Sequence, residues 1–476
     1  MIKDIQEKIQ KGEINLTENV NDFLNNFENI NSELNAFVSK NDNVINDAKL
    51  SEQRIKDDKA LKLDGIKIGI KDNILVKDLK STSGSKILKE YVASYDATVV
   101  KKIKEAGGII IGKTNMDEFA MGSSNETSYF GVVKNPIDKT KVSGGSSGGS
   151  AASVVGLLAD VALGSDTAGS IRQPASFCGV VGFKPTYGAV SRFGLMAMSS
   201  SLDVVGVIAK NVSDCETVFD VISGKDDYDS TSIEVLKDDK EYTIDDLKNL
   251  IVGIPKEYFI EGIDKEVKEK VDGFVLKLKE LGVKIQEISL PHTKYAIACY
   301  YIIMPAEVSS NLSRYDNIRY GSKIEDLKEL NISNLKDLYF KTRGDGFGME
   351  VKRRILLGTY VLSKGFYDEY YTKAQKVRRL IKNDFDKAFS EVDMIITPTC
   401  PDKAFSFGEK SKDPISMYLS DIFTVPMNLA GVPAISLPLA KGEEGLPIGI
   451  QFVMNDKLDN KLLKVSKVLE SIIKYG

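Results

Sequence analysis

The sequence predicts a single large α/β domain, a central mixed β-sheet flanked by helices with a helical insertion in its C-terminal half. Three observations predict it. Strand-like and helix-like hydrophobic patterns alternate from about residue 63 to 225 and resume at 251. Helical patterns alone fill about 295–390. The 476 residues exceed what one simple core absorbs, so a domain elaborated by insertion, or two lobes, is expected.

The elements follow in order. Residues 1–60 read as an N-terminal helical segment, with Val20, Phe23, Leu24 and Phe27 at helical spacing, and 61–476 as the main domain. Gly65 to Lys71 alternates as a strand does and meets a turn signal at Asp72-Asn73. Ala97–Ala106 has helical spacing and stops at Gly107-Gly108, before the buried strand Ile109-Ile110-Ile111. Ala151 to Ala159 is small and apolar throughout, like a fully buried helix, and Val161-Ala162-Leu163 is strand-like. Lys225–Asp246 is a charged surface connection. Strands are expected at 251–255, 283–285, 394–398, 434–438 and 449–453, and an amphipathic helix at 266–281. No internal repeat is present.

Composition excludes several functions. Sixty-four Lys and Arg against sixty-eight Asp and Glu leave a net charge of −4, without the basic excess by which a free-standing nucleic-acid binder neutralises phosphates. Cys178, Cys215, Cys299 and Cys400 form no C-x-x-C pair, so reduced thiols are expected rather than a zinc site or a disulfide framework. No stretch approaches the ~18–20 apolar residues of a membrane span, and the first ten residues have no signal-peptide character. A cytoplasmic protein without membrane partners is expected. There is one histidine, His292, in a loop-like Leu290-Pro291-His292-Thr293. A two-histidine metal site is therefore impossible and no bound metal is expected. Chemistry carried by histidine would rest on this one residue.

Two serine segments remain. Ser143–Ser150 reads S-G-G-S-S-G-G-S, a string that alone suits a flexible linker. The buried-helix pattern directly after it argues for a core segment instead, in which glycines admit close approach. A phosphate-binding loop is rejected, because no Lys follows Gly148-Gly149. The second segment, Gly164 to Ala175, holds Asp166-Thr167-Ala168-Gly169-Ser170-Ile171-Arg172. Small residues ahead of a serine describe a tight turn whose backbone amides could point at one oxygen. A serine nucleophile needs a base. With histidine nearly absent, a lysine made neutral by burial is the candidate, and Lys71 ends an apolar strand.

Gly144 to Ser150, Gly164 to Arg172 and the lysine-bearing Gly69-Ile70-Lys71-Asp72-Asn73, in this order and spacing, resemble the amidase signature family. The resemblance implies Ser170 as nucleophile, Ser146 as a bridging serine beside a cis peptide bond, and Lys71 as base. It implies the backbone amides of Thr167, Ala168, Gly169 and Ser170 as the oxyanion hole. Ala168 stands where the family usually has Gly, Ser143 and Lys67 where it commonly has Pro, and Gln451–Asn455 lacks a Gly often found there.

Lys113–Ser124, Pro305–Leu312, Glu350–Tyr360 and Tyr418–Thr424 are similar to one branch of that family, the glutaminase subunits of tRNA-dependent amidotransferases. In that branch an Arg and an Asp grip glutamine. The matching positions are Arg354 and Asp421, with Tyr301 nearby and Gly122-Ser123 lining the pocket. An Arg fork suits a carboxylate, and an Asp suits an ammonium. The resemblance further implies a B subunit that activates Glu-tRNA(Gln), a small C subunit, and tRNA held mainly by the B subunit. It leaves Asp-tRNA(Asn) open as a second acceptor. ATP and magnesium belong to the complex, and no cofactor to this chain. Two other readings are a stand-alone amidase acting on a small amide and a non-catalytic scaffold that binds a partner.

Overall fold

Eleven strands, in the order β1-β3-β2-β4-β6-β5-β10-β11-β9-β7-β8, form one sheet in the computed structural model, which describes residues 2–258, 262–321, 332–410 and 413–474. They are β1 (Phe37–Lys40), β2 (Lys67–Lys71), β3 (Ile109–Thr114), β4 (Val161–Asp166), β5 (Val181–Lys184), β6 (Val204–Ala209), β7 (Ile251–Pro255), β8 (Lys284–Ile288), β9 (Met394–Pro398), β10 (Ala434–Lys441) and β11 (Pro447–Val453). β2 runs parallel to β3 and β4, and β7 to β8 and β9. The remaining pairs are antiparallel, so the sheet is mixed, as the alternating patterns imply.

The central strands are buried on both faces. Ile68, Ile70, Leu163, Val207 and Phe452 share one core with the helices Thr98–Glu105, Val212–Ile222, Lys265–Glu280 and Asp459–Lys474. On the other face Ala162 and Ile208 pack with Ala151 and Val154, of the helix that follows the first serine segment, and with Ile171 and Ala175 of the second. A side chain at Gly164 would come within 2.9 Å of both Ile171 Cγ1 and Ser147 Oγ. The absent side chain is what lets the helices Gly148–Val155 and Arg172–Cys178 lie directly on the sheet.

The N-terminal segment is less uniformly helical than its pattern predicts. Between the helices Leu16–Leu34 and Val44–Lys56, β1 pairs antiparallel with β3 at the sheet edge. The described part of Ala296 to Ala388 is mainly helical, in Ala296–Asn311, Leu335–Gly346, Met349–Val361 and Lys373–Ala388; residues 322–331 of the expected insertion lie outside the described residues. Ile303, Val308, Val351 and Phe385 of these helices pack against Ile395 and Val453 of the sheet in a second core. The four cysteines are buried thiols. No described helix is long and apolar enough to cross a membrane.

Candidate active site

Parallel pairing of β2 with β4 brings the last residue of β2, Lys71, beside Ser165 near the end of β4. Lys71 Nζ lies 2.8 Å from Ser146 Oγ, 2.8 Å from Ser147 Oγ, and 2.9 and 3.3 Å from the hydroxyl and carbonyl oxygens of Ser165. The lysine is fully buried. Burial pushes its ammonium down to about 7, and the negative charges of Asp117, Asp166 and Asp203 only partly oppose this. A lysine at that value is partly neutral near pH 7, so it can accept a proton from a hydroxyl.

The two serine segments are joined by the Ser147 amide, which donates to the Ser170 carbonyl at 3.1 Å. The Gly145–Ser146 peptide bond is cis. Ser146 and Ser170 are both buried, at 0 % and 8 % exposure. Gln173 ties the segment to its neighbour: its Oε1 accepts from the Gly145 amide at 2.9 Å and its Nε2 donates to the Ser123 carbonyl at 2.7 Å.

The turn before Ser170 is organised by a buried ion pair. Arg172 meets both carboxylate oxygens of Asp166, at 3.0 and 3.1 Å, and also donates to Gln451 at 2.6 Å and Asn428 at 2.5 Å. Burial raises the Asp166 carboxyl, but Arg172 outweighs it and holds the group at about 2. That carboxylate accepts from the amides of Gly169 at 2.8 Å and Ile171 at 3.1 Å. Gly169 therefore departs from the oxyanion-hole expectation, because its N–H is already committed. The amides of Thr167, Ala168 and Ser170 have no hydrogen-bond acceptor among the described residues. Gly169 serves space instead: φ is +131° and a Cβ would stand 2.2 Å from Thr424 Oγ1. The Ala168 methyl, in contrast, joins the apolar cluster beneath the helical region.

The five other predicted site residues form two contact groups. Ser123 Oγ donates to Asp421 Oδ2 at 2.6 Å, and Gly122 covers Asp117, whose carboxyl carbon a Cβ there would meet at 2.4 Å. Tyr301 stacks on Tyr418 with ring centroids 3.8 Å apart, and the Arg354 guanidinium lies 5.4 and 5.8 Å from those two rings. Arg354 Nε donates to Glu350 Oε1 at 2.7 Å. Burial raises the Asp421 carboxyl to about 7, with the Ser123 hydrogen bond and the Arg354 charge pulling the other way. A buried cation and a buried, partly protonated acid beside a serine hydroxyl suit an amino acid carrying both charges. Sequence reasoning missed Ser147, Ser165, Gln173, Glu350, Tyr418 and Thr424. Of these Glu350 had a signal, since it precedes Arg354 by four residues on one helix.

A buried amine against serine hydroxyls, below a turn with free amides, is the equipment of a serine hydrolase that needs no histidine. The amidase family pattern matches residues 18–463, and the chain belongs to that family. A Fusobacterium nucleatum protein, named as the A subunit of glutamyl-tRNA(Gln) amidotransferase, is 53% identical over 474 residues, covering 99% of this chain and 96% of the relative. The protein of that name from Syntrophus aciditrophicus is 48% identical, covering 98% of this chain and 96% of the relative. The crystal structure of the Thermotoga maritima protein of the same name superposes with a TM-score of 0.78 at 40% identity, covering 98% of this chain and 92% of that one.

Proposed function

We propose that this chain is the glutaminase subunit of a tRNA-dependent amidotransferase, hydrolysing glutamine to glutamate and ammonia for the conversion of Glu-tRNA(Gln) to Gln-tRNA(Gln). The observation that carries the chemistry is the sealed Lys71, 2.8 Å from Ser146 Oγ and titrating at about 7. Likeness along the whole chain to relatives named as this subunit supports the substrate and the assembly.

In this reading neutral Lys71 takes the proton of Ser170 through Ser146 as Ser170 Oγ attacks the side-chain amide carbon. The oxyanion is held by the free amides of the Thr167–Ser170 turn, a contribution of several kcal/mol when such donors are preorganised, since losing one costs about 10²–10³ in rate. The proton returns through Ser146 to the departing nitrogen, which leaves as ammonia. Water then attacks the acyl carbon, Ser170 recovers its proton, and glutamate is released. Arg354 holds the α-carboxylate of glutamine and ionised Asp421 its ammonium, with Ser123 orienting Asp421 and Glu350 holding the guanidinium through its Nε.

The partners are a B subunit that uses ATP and magnesium to activate the misacylated tRNA and a small C subunit, in the cytoplasm. No cofactor is assigned to this chain. The test is ammonia release from glutamine by the chain alone and with candidate B and C subunits plus misacylated tRNA, beside Ser170→Ala. Partner-stimulated release lost in Ser170→Ala is the expected result. Strong release from simple amides by the isolated chain, with no partner effect, would instead make it a stand-alone amidase.

A further inference from the structure

The free amides of the turn are useful only if they point at one place, and the structure shows what points them. In a trans peptide the C=O and N–H are antiparallel, so a group that holds a carbonyl aims the amide after it. The Ala168 carbonyl accepts from Thr424 Oγ1 at 2.5 Å, which directs the Gly169 amide away, toward Asp166. The Asp166 carbonyl is approached by Asn428 Nδ2 at 3.3 Å, which turns the Thr167 amide the opposite way. Between them stands Thr167, whose own dihedrals set the Ala168 amide.

Thr167 is held through its side chain. Its Oγ1 donates to Asp203 Oδ1 at 2.7 Å, both residues being buried. A β-branched residue has few χ1 choices, so fixing that hydroxyl also fixes the backbone beneath it. Asp203 is itself immobilised, because its Oδ2 accepts from the amides of Met198 at 2.9 Å and Ser199 at 3.0 Å. The 198–203 turn is clipped in turn by Glu307, which accepts from Ser199 Oγ at 2.7 Å and the Ser201 amide at 3.0 Å. Glu307 lies on the helix Ala296–Asn311, which also carries Tyr301.

We infer that Asp203 is a positioning residue for the reaction: through the Thr167 hydroxyl it holds the oxyanion-binding turn in its donating orientation. It touches no substrate atom. The inference rests on the glutaminase reading for its substrate, but not for its geometry.

The test uses the full chain assembled with its partner subunits and the variants Thr167→Val, Thr167→Ser and Asp203→Asn. Thr167→Val keeps the shape and removes the donor. It should lower kcat for glutamine by about 10- to 100-fold, as expected for a small misplacement of catalytic groups. KM and the affinity for the product glutamate should stay within about twofold, because only transition-state stabilisation is lost. Affinity for the γ-aldehyde analogue of glutamine, which forms an oxyanion on Ser170, should fall by the same factor as kcat. Thr167→Ser should restore most of the rate, and Asp203→Asn should fall toward Thr167→Val. Full kcat in Thr167→Val would overturn the inference, as would loss of glutamate affinity and thermal stability in step with the rate. Thr167→Ala replaces the valine variant if that one does not fold. A folded wild-type complex that releases no ammonia from glutamine would sink the glutaminase reading alone. The rate at which an activated ester acylates Ser170 in the same variants would then still decide the role of Asp203.

Discussion

With Lys71 as the proposed base, the rate of the bound enzyme should depend on pH in a way that one hydroxyl tunes. The neutral amine is the active form in that mechanism, so kcat for glutamine should rise with pH along a limb centred at about 7. At about pH 7.5 roughly three-quarters of such an amine is neutral, against about one part in a thousand for an ordinary lysine at 10.5, so burial supplies roughly 10²–10³ in available base. The perturbation is Ser165→Ala. Ser165 Oγ accepts from Nζ at 2.9 Å and so stabilises the ammonium. A hydrogen bond to a charged group contributes about 1.5–3 kcal/mol, which at about 1.4 kcal/mol per unit is about one to two pKa units. The Ser165 carbonyl, 3.3 Å from Nζ, remains to take up part of the loss, so the lower figure applies and the limb should move down by about one unit. The assay is ammonia release at saturating glutamine across about pH 5 to 9, with Ser170→Ala as the blank. Saturation matters because kcat reports the complex with substrate, in which the glutamine ammonium holds Asp421 ionised. A limb that stays in place or moves upward in Ser165→Ala, or its absence near neutrality in the wild type, would refute a neutral-lysine base.

The segments that carry this site stand out in the sequence: a lysine ending an apolar strand, and small serine-bearing stretches beside buried-helix and strand patterns. The roles of Lys71, Ser146 and Ser170 within them come from the resemblance to the amidase signature family. Local character reads out along the chain. What was illegible is the pairing of ordinary residues far apart. Thr424 meets Ala168 across 256 positions and Gln173 meets Ser123 across 50, and neither threonine nor glutamine advertises a partner. Ser147 is as close to Lys71 as Ser146 is, and nothing within S-G-G-S-S-G-G-S separates them; the structure does, because the Ser147 hydroxyl also donates to the Ser165 carbonyl at 3.1 Å. Gly169 teaches a similar lesson. A tight turn before a serine suggests that every amide faces the oxyanion, but the nearby Asp166 carboxylate captures one. The β1 strand was hidden because four residues between two helices offer too little alternation to register, and its pairing with β3 begins with a register irregularity.

Three further outcomes follow from the same geometry. Gly169→Ala should cut kcat by about 10²-fold or more, because the Cβ must displace Thr424 Oγ1, 2.2 Å away, and with it the turn. Ala168→Gly, which removes only a methyl, should stay within about threefold; steady-state rates of both variants check the contrast. Arg354→Lys keeps the charge but loses the fork and the guanidinium's place beside the Tyr301 and Tyr418 rings, so KM should rise by about 10- to 100-fold with a smaller change in kcat. The ammonium-binding role proposed for Asp421 can be separated from the chemistry. Its carboxyl is raised to about 7, chiefly by burial, and only the carboxylate pairs with an ammonium. In the free enzyme kcat/KM for glutamine should therefore fall as pH drops through about 7, more steeply than kcat, since Lys71 and Asp421 both gain protons there. Glutaramic acid, the monoamide of glutaric acid, lacks the α-amino group, and its kcat/KM should lose the Asp421 contribution and follow Lys71 alone. Asp421→Asn should raise KM for glutamine by about 10-fold or more while sparing the monoamide. Equal losses on the two substrates would show that Asp421 holds the pocket together and does not recognise the ammonium.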